Sequence, residues 1–203
     1  MSKPTLYGIS GSRAIRSIWA MEEVGVDYDH VPTHFIKDSK APEYMAVNPN
    51  GRIPSLVDGE VTLFESMAIN LYVAERWGSG LYPANVADRG LVHQWSVWGI
   101  SEIEPLQMRI VVQKFFTPEE KRNPKVIAAA EKELERPFGV LDAHLADRTY
   151  LLGDDFTIAD LNVSGVMLLM QLIQLDYSPF KNVQRWADAC YARPSLAAAQ
   201  ARA

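Results

Sequence analysis

Residues 5–34, TLYGISGSRAIRSIWAMEEVGVDYDHVPTH, decide the architecture of the first part of the chain. A short apolar run, Thr5-Leu6-Tyr7-Gly8-Ile9, ends in the turn Ser10-Gly11-Ser12. From Arg13 to Val24, Ile15, Ile18 and Trp19 recur at helical spacing, and Gly25 supplies a C-terminal cap. Tyr28 to His34 reads as a second strand. Pro32 within it points to an edge position or an early end, because proline cannot donate to a ladder. Strand, helix and strand in succession predict a parallel pair joined by a right-handed crossover.

Downstream, Asp38 to Val47 predicts a short helix or turn region, closed by Asn48-Pro49-Asn50-Gly51. Two brief strands follow, Pro54–Val57 and Val61–Phe64, around Asp58-Gly59, the strongest hairpin signal in the chain. Ser66 can cap a helix running to about Trp77. The order predicts a small mixed sheet of four strands flanked by helices. Gly78-Ser79-Gly80 and Pro83-Ala84-Asn85 then form a turn-rich break, after which the strand signal disappears. Asp88 to Phe116, Pro118 to Ala146, Thr157 to Leu175 and Phe180 to Arg193 all read as helices, before an alanine-rich tail, Ala197–Ala203. The expected domains are an α/β domain over residues 1–78 and an all-helical domain over residues 88–203. Thr157-Ile158-Ala159-Asp160 fits a capping box, with Phe156 and Leu161 placed as a hydrophobic staple. The helix behind it is apolar on nearly every side, which predicts the buried centre of the helical domain.

Composition narrows the function. At about 150 residues per domain, 203 residues allow one or two domains. Hydrophobic residues at 48% and charged residues at 22% are those of a globular chain, not a disordered one. The net charge of −5 argues against a nucleic-acid binder, which needs a basic face for phosphates. The longest apolar stretch, Val163 to Leu175, is broken by Ser164, Gly165, Gln171 and Gln174, so no membrane span is expected. The opening MSKPTLYG carries no signal-peptide pattern. Cys190 is the single cysteine, so no internal disulfide can form, and a soluble cytoplasmic protein is the default expectation.

Few residues carry an obvious chemistry. His30 and His34 are four apart, but in a strand interrupted by Pro32 they do not share a helical face. His93, His144 and Cys190 are isolated, so no metal is expected. Gly-x-Ser-x-Gly is absent, and Gly8-Ile9-Ser10-Gly11 lacks the pattern of a phosphate loop. Two places remain. At Ser10-Gly11-Ser12-Arg13, helix-terminal amides and a serine hydroxyl can meet an anion, or a serine can simply cap the helix. At Arg52-Ile53-Pro54-Ser55-Leu56, a proline opens a strand directly after a turn. A cis bond there would turn the Ile53 backbone outward towards a peptide ligand. After the hairpin, Glu65-Ser66 sets a carboxylate and a hydroxyl at a strand-to-helix junction, as ligand groups or as a capped helix with a solvated glutamate.

Taken together, Tyr7…Ser12-x-x-x-Arg16, Asn48-Pro49-Asn50-Gly51-Arg52-Ile53-Pro54, Phe64-Glu65-Ser66-x-Ala68-Ile69 and Thr157-Ile158-Ala159-Asp160 resemble the cytosolic glutathione transferase family, in its serine-type, bacterial-like form. The resemblance runs through the whole chain in order. It implies a thioredoxin-like N-terminal domain followed by an all-helical C-terminal domain, that is, α/β plus all-α. It further implies glutathione as co-substrate, without a metal, and a two-fold homodimer engaged in detoxification in the cytoplasm. Neither nucleic acid nor membrane is an implied partner.

Carried over by position, Ser12 is the residue facing the glutathione sulfur, with Tyr7 and Ser10 as nearby alternatives. Ile53, before Pro54, pairs through its backbone with the cysteinyl part of glutathione. Glu65 and Ser66 hold the γ-glutamyl group, Arg52 approaches the glycyl carboxylate, and Asp160 is structural. Trp98, Met108, Phe115 and Phe116 line the acceptor pocket for a small hydrophobic electrophile, or belong to the core. The implied chemistry is thiol activation. A free thiol has a pKa of about 8.5, and lowering it by about two units needs about 2.7 kcal/mol of preferential thiolate stabilisation. A hydroxyl donor and helix-terminal amides can supply that. A glutathione-dependent peroxidase, disulfide reductase or isomerase on the same site is an alternative, as is a non-catalytic interaction protein of the same fold.

Overall fold

A computed structural model describes residues 3–202; Met1, Ser2 and Ala203, which belong to the opening MSKPTLYG and to the alanine-rich tail, lie outside the described residues. The chain divides into two compact units, one formed by the described residues up to Ala84 together with those from Ala192 onward, the other by Asn85–Tyr191.

The first unit begins with β1 (Thr5–Tyr7), α1 (Ala14–Val24) and β2 (Asp29–Val31), the β-α-β succession expected. Gly25 ends α1 at φ 65°, a left-handed conformation that glycine adopts without steric cost. The second strand is shorter than Tyr28–His34: it stops at Val31, immediately before Pro32, and forms one edge of the sheet. A 3₁₀ turn, Asp38–Lys40, and α2 (Pro42–Met45) connect it to β3 (Ser55–Asp58) and β4 (Val61–Phe64). Asp58 pairs with Val61, so the hairpin turn is Gly59-Glu60, one residue later than Asp58-Gly59. Then comes α3 (Ser66–Trp77). The strand order β2-β1-β3-β4, with β1–β2 parallel and the other pairs antiparallel, is the mixed thioredoxin-like sheet. Leu6 and Leu56, directly opposite each other on neighbouring strands, are fully buried with Ile18, Trp19 and Ile69 from the helices.

The second unit is helical. A single helical run extends from Val86 to Phe116, comprising α4 (Val86–Trp98), a π-helical turn, α5 (Glu104–Val111) and a second π-helical turn. Asn85 caps it by accepting the Asp88 amide hydrogen at 2.8 Å. Then follow α6 (Pro124–His144), α7 (Ile158–Ile173) and α8 (Lys181–Tyr191). In α7 the capping box is present, and the helix is buried along most of its length, as its all-round apolar sequence requires. Asp160 also accepts hydrogen bonds from the Leu151 amide and the Trp186 indole, both at 2.8 Å, tying the loop before α7 and the middle of α8 to one carboxylate.

The C-terminal boundary differs from the expected 88–203 helical domain. The chain breaks after Tyr191, and α9 (Pro194–Ala201) packs on α1 in the first unit. The cause lies in side-chain pairing. Arg193 donates from two nitrogens to Glu23, Ser195 donates to the same carboxylate, and Trp19 Nε1 donates to Ser195 Oγ at 3.0 Å. Arg202 binds Glu22 at 2.6 Å and lies over the Tyr28 ring.

Candidate functional site

Strand register gathers the candidate residues. Tyr7, at the end of β1, pairs with Ser55, at the start of β3, and Ser55 pairs with Phe64, at the end of β4. The segments adjoining these residues, Gly8–Arg13, Arg52–Pro54 and Glu65-Ser66, therefore emerge at one end of the sheet. Both α1 and α3 start there, so two helix N-termini carry their positive dipole ends to the same place.

Gly8 closes the arrangement. A Cβ on Gly8 would lie 2.3 Å from the Ala14 Cβ and 3.8 Å from that of Ile53. Only a residue without a side chain lets β1 pass this close to the first turn of α1 and to the Ile53 loop. Its φ of 147° belongs to the same requirement.

Ser12, half-buried, accepts a hydrogen bond from the Ala14 amide at 3.1 Å and donates its own hydrogen to the Ile9 carbonyl at 2.8 Å. Arg13 occupies the cap position of α1, and Ser12, one residue before it, holds the first helical amide while its hydroxyl hydrogen is directed back into the turn. Tyr7 meets Tyr44 edge-on, with ring centroids 5.7 Å apart, and Ser10 is half-buried in the turn. Arg16, on the buried side of α1, is 2% exposed.

The Ile53–Pro54 bond is cis, the option raised from the sequence. Its loop is braced from behind by the Asn48-Pro49-Asn50-Gly51 stretch. Asn48 Nδ2 donates to the Arg52 carbonyl at 2.7 Å, and the Tyr44 hydroxyl donates to the same oxygen at 2.6 Å. Ser55 Oγ lies 2.7 Å from the Tyr44 hydroxyl and 3.1 Å from Asn48 Nδ2, so all three polar side chains lock the loop to β3. Burial in this cluster pushes the Tyr44 phenol up. Arg52 itself is exposed, while Pro54 is buried.

Glu65 is exposed and has φ 71° and ψ 114°, a conformation rarely taken by a residue with a side chain. Such strain persists where the surroundings enforce it, and it concentrates at ligand clamps. Glu65 rather than Ser66 occupies the cap position of α3, and Ser66, 7% exposed, is the first helical residue.

Sequence reasoning passed over Lys40. Its Nζ donates to the Gly51 carbonyl at 2.7 Å, which puts an exposed cation beside the Arg52 loop. No local pattern announces it, because it lies eleven positions from Gly51 and only the fold joins them. The bracing role of Tyr44 was equally invisible.

In the helical unit, Trp98 and Met108 are half-buried, Phe115 is 51% exposed and Phe116 62% exposed. The two phenylalanines are therefore surface residues within that unit, not core. Among the described residues no group of three or more His, Cys, Asp or Glu side chains is arranged to hold a metal ion, and no helix is long and apolar enough to cross a membrane.

Fold and site define a thioredoxin-like domain, with backbone and helix-terminal groups gathered at one sheet end, in a chain whose second unit is helical. Comparison with known proteins agrees. Residues 2–75 match the model of the glutathione S-transferase N-terminal domain, and residues 103–194 match that of its C-terminal domain. Glutathione S-transferase 3 of Zea mays is 37% identical, covering 97% of this chain and 92% of its own. Glutathione S-transferase GstB of Escherichia coli K12 is 29% identical, covering 95% of each. The crystal structure of the theta class glutathione S-transferase of Xanthomonas axonopodis pv. citri, with glutathione bound, superposes with a TM-score of 0.89 at 29% identity, covering 100% of this chain and 99% of the other. The chain belongs to the glutathione S-transferase family.

Proposed function

We propose that the protein binds glutathione at the sheet end formed by Ser12, Ile53 and Glu65 and joins its thiolate to small hydrophobic electrophiles. The observation that carries this reading is the Tyr7–Ser55–Phe64 register, which brings three chain segments and two helix N-termini to one place. Glutathione carries two carboxylates, an ammonium and a thiol, and each has a counterpart there. Glu65 takes the γ-glutamyl ammonium, while Ser66 and the α3 amides take its carboxylate. The Ile53 backbone pairs with the cysteinyl unit. Arg52, with Lys40 beside it, faces the glycyl carboxylate as a cation on an exposed rim.

Ser12 activates the thiol. Turning its hydroxyl hydrogen from Ile9 to the sulfur costs little, because the Ile9 carbonyl keeps the Ser12 amide hydrogen at 3.2 Å. Meanwhile Ser12 Oγ still accepts from the Ala14 amide, which polarises the hydroxyl and strengthens it as a donor. The thiol proton leaves to solvent, the sulfur lone pair forms the bond to the electrophilic carbon, and the displaced electrons go to a leaving group or a conjugated acceptor. Trp98, Met108 and Phe115 offer apolar surface for the electrophile. Cys190, the chain's single cysteine, is buried, so the reacting thiol is the ligand's own. The protein works in the cytoplasm as a homodimer.

The test compares Ser12→Ala, Ser10→Ala and Tyr7→Phe side by side, with glutathione and a panel of electrophiles, hydroperoxides and mixed disulfides. Ser12→Ala is expected to shift the pH–rate profile upward with little change in glutathione affinity. If the profile holds for Ser12→Ala and moves for one of the others, the role belongs to that residue.

A further inference from the structure

We infer that His30 is a positioning residue for thiol activation, acting through the Gly8 carbonyl on the turn that carries Ser12; the inference rests on the role proposed above for Ser12. His30 lies on the edge strand β2, outside the glutathione-contacting set. Its Nε2 is 2.8 Å from the Gly8 carbonyl oxygen, and since a carbonyl can only accept, that nitrogen carries the hydrogen.

Two features make this bond consequential. First, the ladder between β1 and β2 ends here. Gly8 N–H donates to the Val31 carbonyl at 3.1 Å, but the next rung would fall beyond Pro32, where β2 has stopped. The imidazole continues the pairing in place of the missing backbone donor. Second, the Gly8 carbonyl belongs to the same planar peptide as the Ile9 nitrogen. The following carbonyl, that of Ile9, receives both the Ser12 amide at 3.2 Å and the Ser12 hydroxyl at 2.8 Å. With no side chain on Gly8 to restrict its ψ, the orientation of the Gly8–Ile9 peptide is set by what holds its carbonyl, and any turn of that peptide would carry Ile9 and Ser12 with it. His30 removes that freedom from a distance.

The experiment uses the full-length protein with reduced glutathione as the probe. It measures the dissociation constant, kcat with one electrophile, and the pH dependence of the bound thiolate's ultraviolet absorbance. His30→Phe keeps a ring beside Tyr28, whose own ring lies 6.4 Å from that of His30, and loses the donor. It is expected to raise the pH at which the bound thiol ionises and to lower kcat at pH 6.5 by about fivefold, the loss of one neutral hydrogen bond, with glutathione affinity within about twofold. His30→Gln, which keeps a donor at similar reach, should recover most of the loss. The double variant Ser12→Ala/His30→Phe should be no worse than Ser12→Ala alone, because both changes disable one device. Additive losses, no rescue by glutamine, or an unshifted titration in His30→Phe while Ser12→Ala shifts would each overturn the role of His30 and leave that of Ser12 standing. A null result for Ser12→Ala would overturn both. His30→Leu serves as the donor-free variant if the phenylalanine variant does not fold.

Discussion

Replacing Asp160 by alanine removes an acceptor on which much of the helical unit converges. The side chain is fully buried, and its two oxygens receive four hydrogens: from the Leu151 amide, the Thr157 amide, the Thr157 hydroxyl and the Trp186 indole, at 2.8 to 3.0 Å. The hydroxyl can rotate to another partner, but the three N–H groups are held by backbone and packing. Each fixed donor left buried and unpaired costs about 1–3 kcal/mol, so the three together cost about 3–9 kcal/mol. Against a total stability of about 5–15 kcal/mol, such a loss is close to disabling. Asp160→Asn is intermediate, since it keeps one carbonyl oxygen for two donors but sets an amide group against the Thr157 amide. Equilibrium urea unfolding followed by tryptophan fluorescence measures both. With a slope of about 2–3 kcal/mol per molar, the alanine midpoint should fall by about 2 M. A loss below about 1 kcal/mol for Asp160→Ala would refute the reasoning, because it would mean that the four donors find other partners. Whatever fraction of the variant remains folded should bind glutathione as the parent does, since Asp160 lies in the other unit.

Three further outcomes are expected. Glu65→Ala should raise the glutathione dissociation constant by about 10- to 100-fold, the loss of a charge-assisted contact of about 1.5–3 kcal/mol, and calorimetric titration reads it directly; an unchanged constant would misplace the site. The C-terminal segment should loosen from α1 in acid. Burial pushes the Glu23 carboxyl up, but the bonds from Arg193, Ser195 and Trp19 outweigh it and hold it below the usual glutamate range. The stability it adds is present above the unfolded pKa and is lost as pH falls through the lower folded one, so Glu23→Gln should flatten the melting-temperature profile below about pH 4 and lower it at pH 7. Sedimentation at micromolar concentration should give a dimer, and a monomer of 22.7 kDa would contradict the homodimer.

Much of the fold was legible because its signals are local. The helical spacing from Arg13 to Val24 with Gly25 behind it, the hairpin glycine at 59, and the capping box at Thr157–Asp160 each act within a turn or two of the chain. Their outcomes appear where expected, apart from the one-residue shift of the hairpin and the early end of β2 at Pro32. The positions of Ser12, Ile53 and Glu65 were legible for the same reason, as junctions between a strand and a turn or helix.

What the chain's order of residues determined by itself, then, is most of the strands and helices, since propensity, capping and turn chemistry are read over a few neighbours; the end of β2, the start of α6 at Pro124 and the helix α9 at the alanine-rich tail were not read from it. Tertiary structure alone decided which junctions meet. The pairing of Tyr7 with Ser55 and of Ser55 with Phe64, the reach of Lys40 to Gly51, and the bond from His30 to Gly8 join residues between 9 and 48 positions apart. It also decided that residues beyond Tyr191 leave the helical unit for α1, because the carboxylate that holds Arg193 and Ser195 is on Glu23. Such contacts depend on packing and sheet register, which no short window of sequence contains.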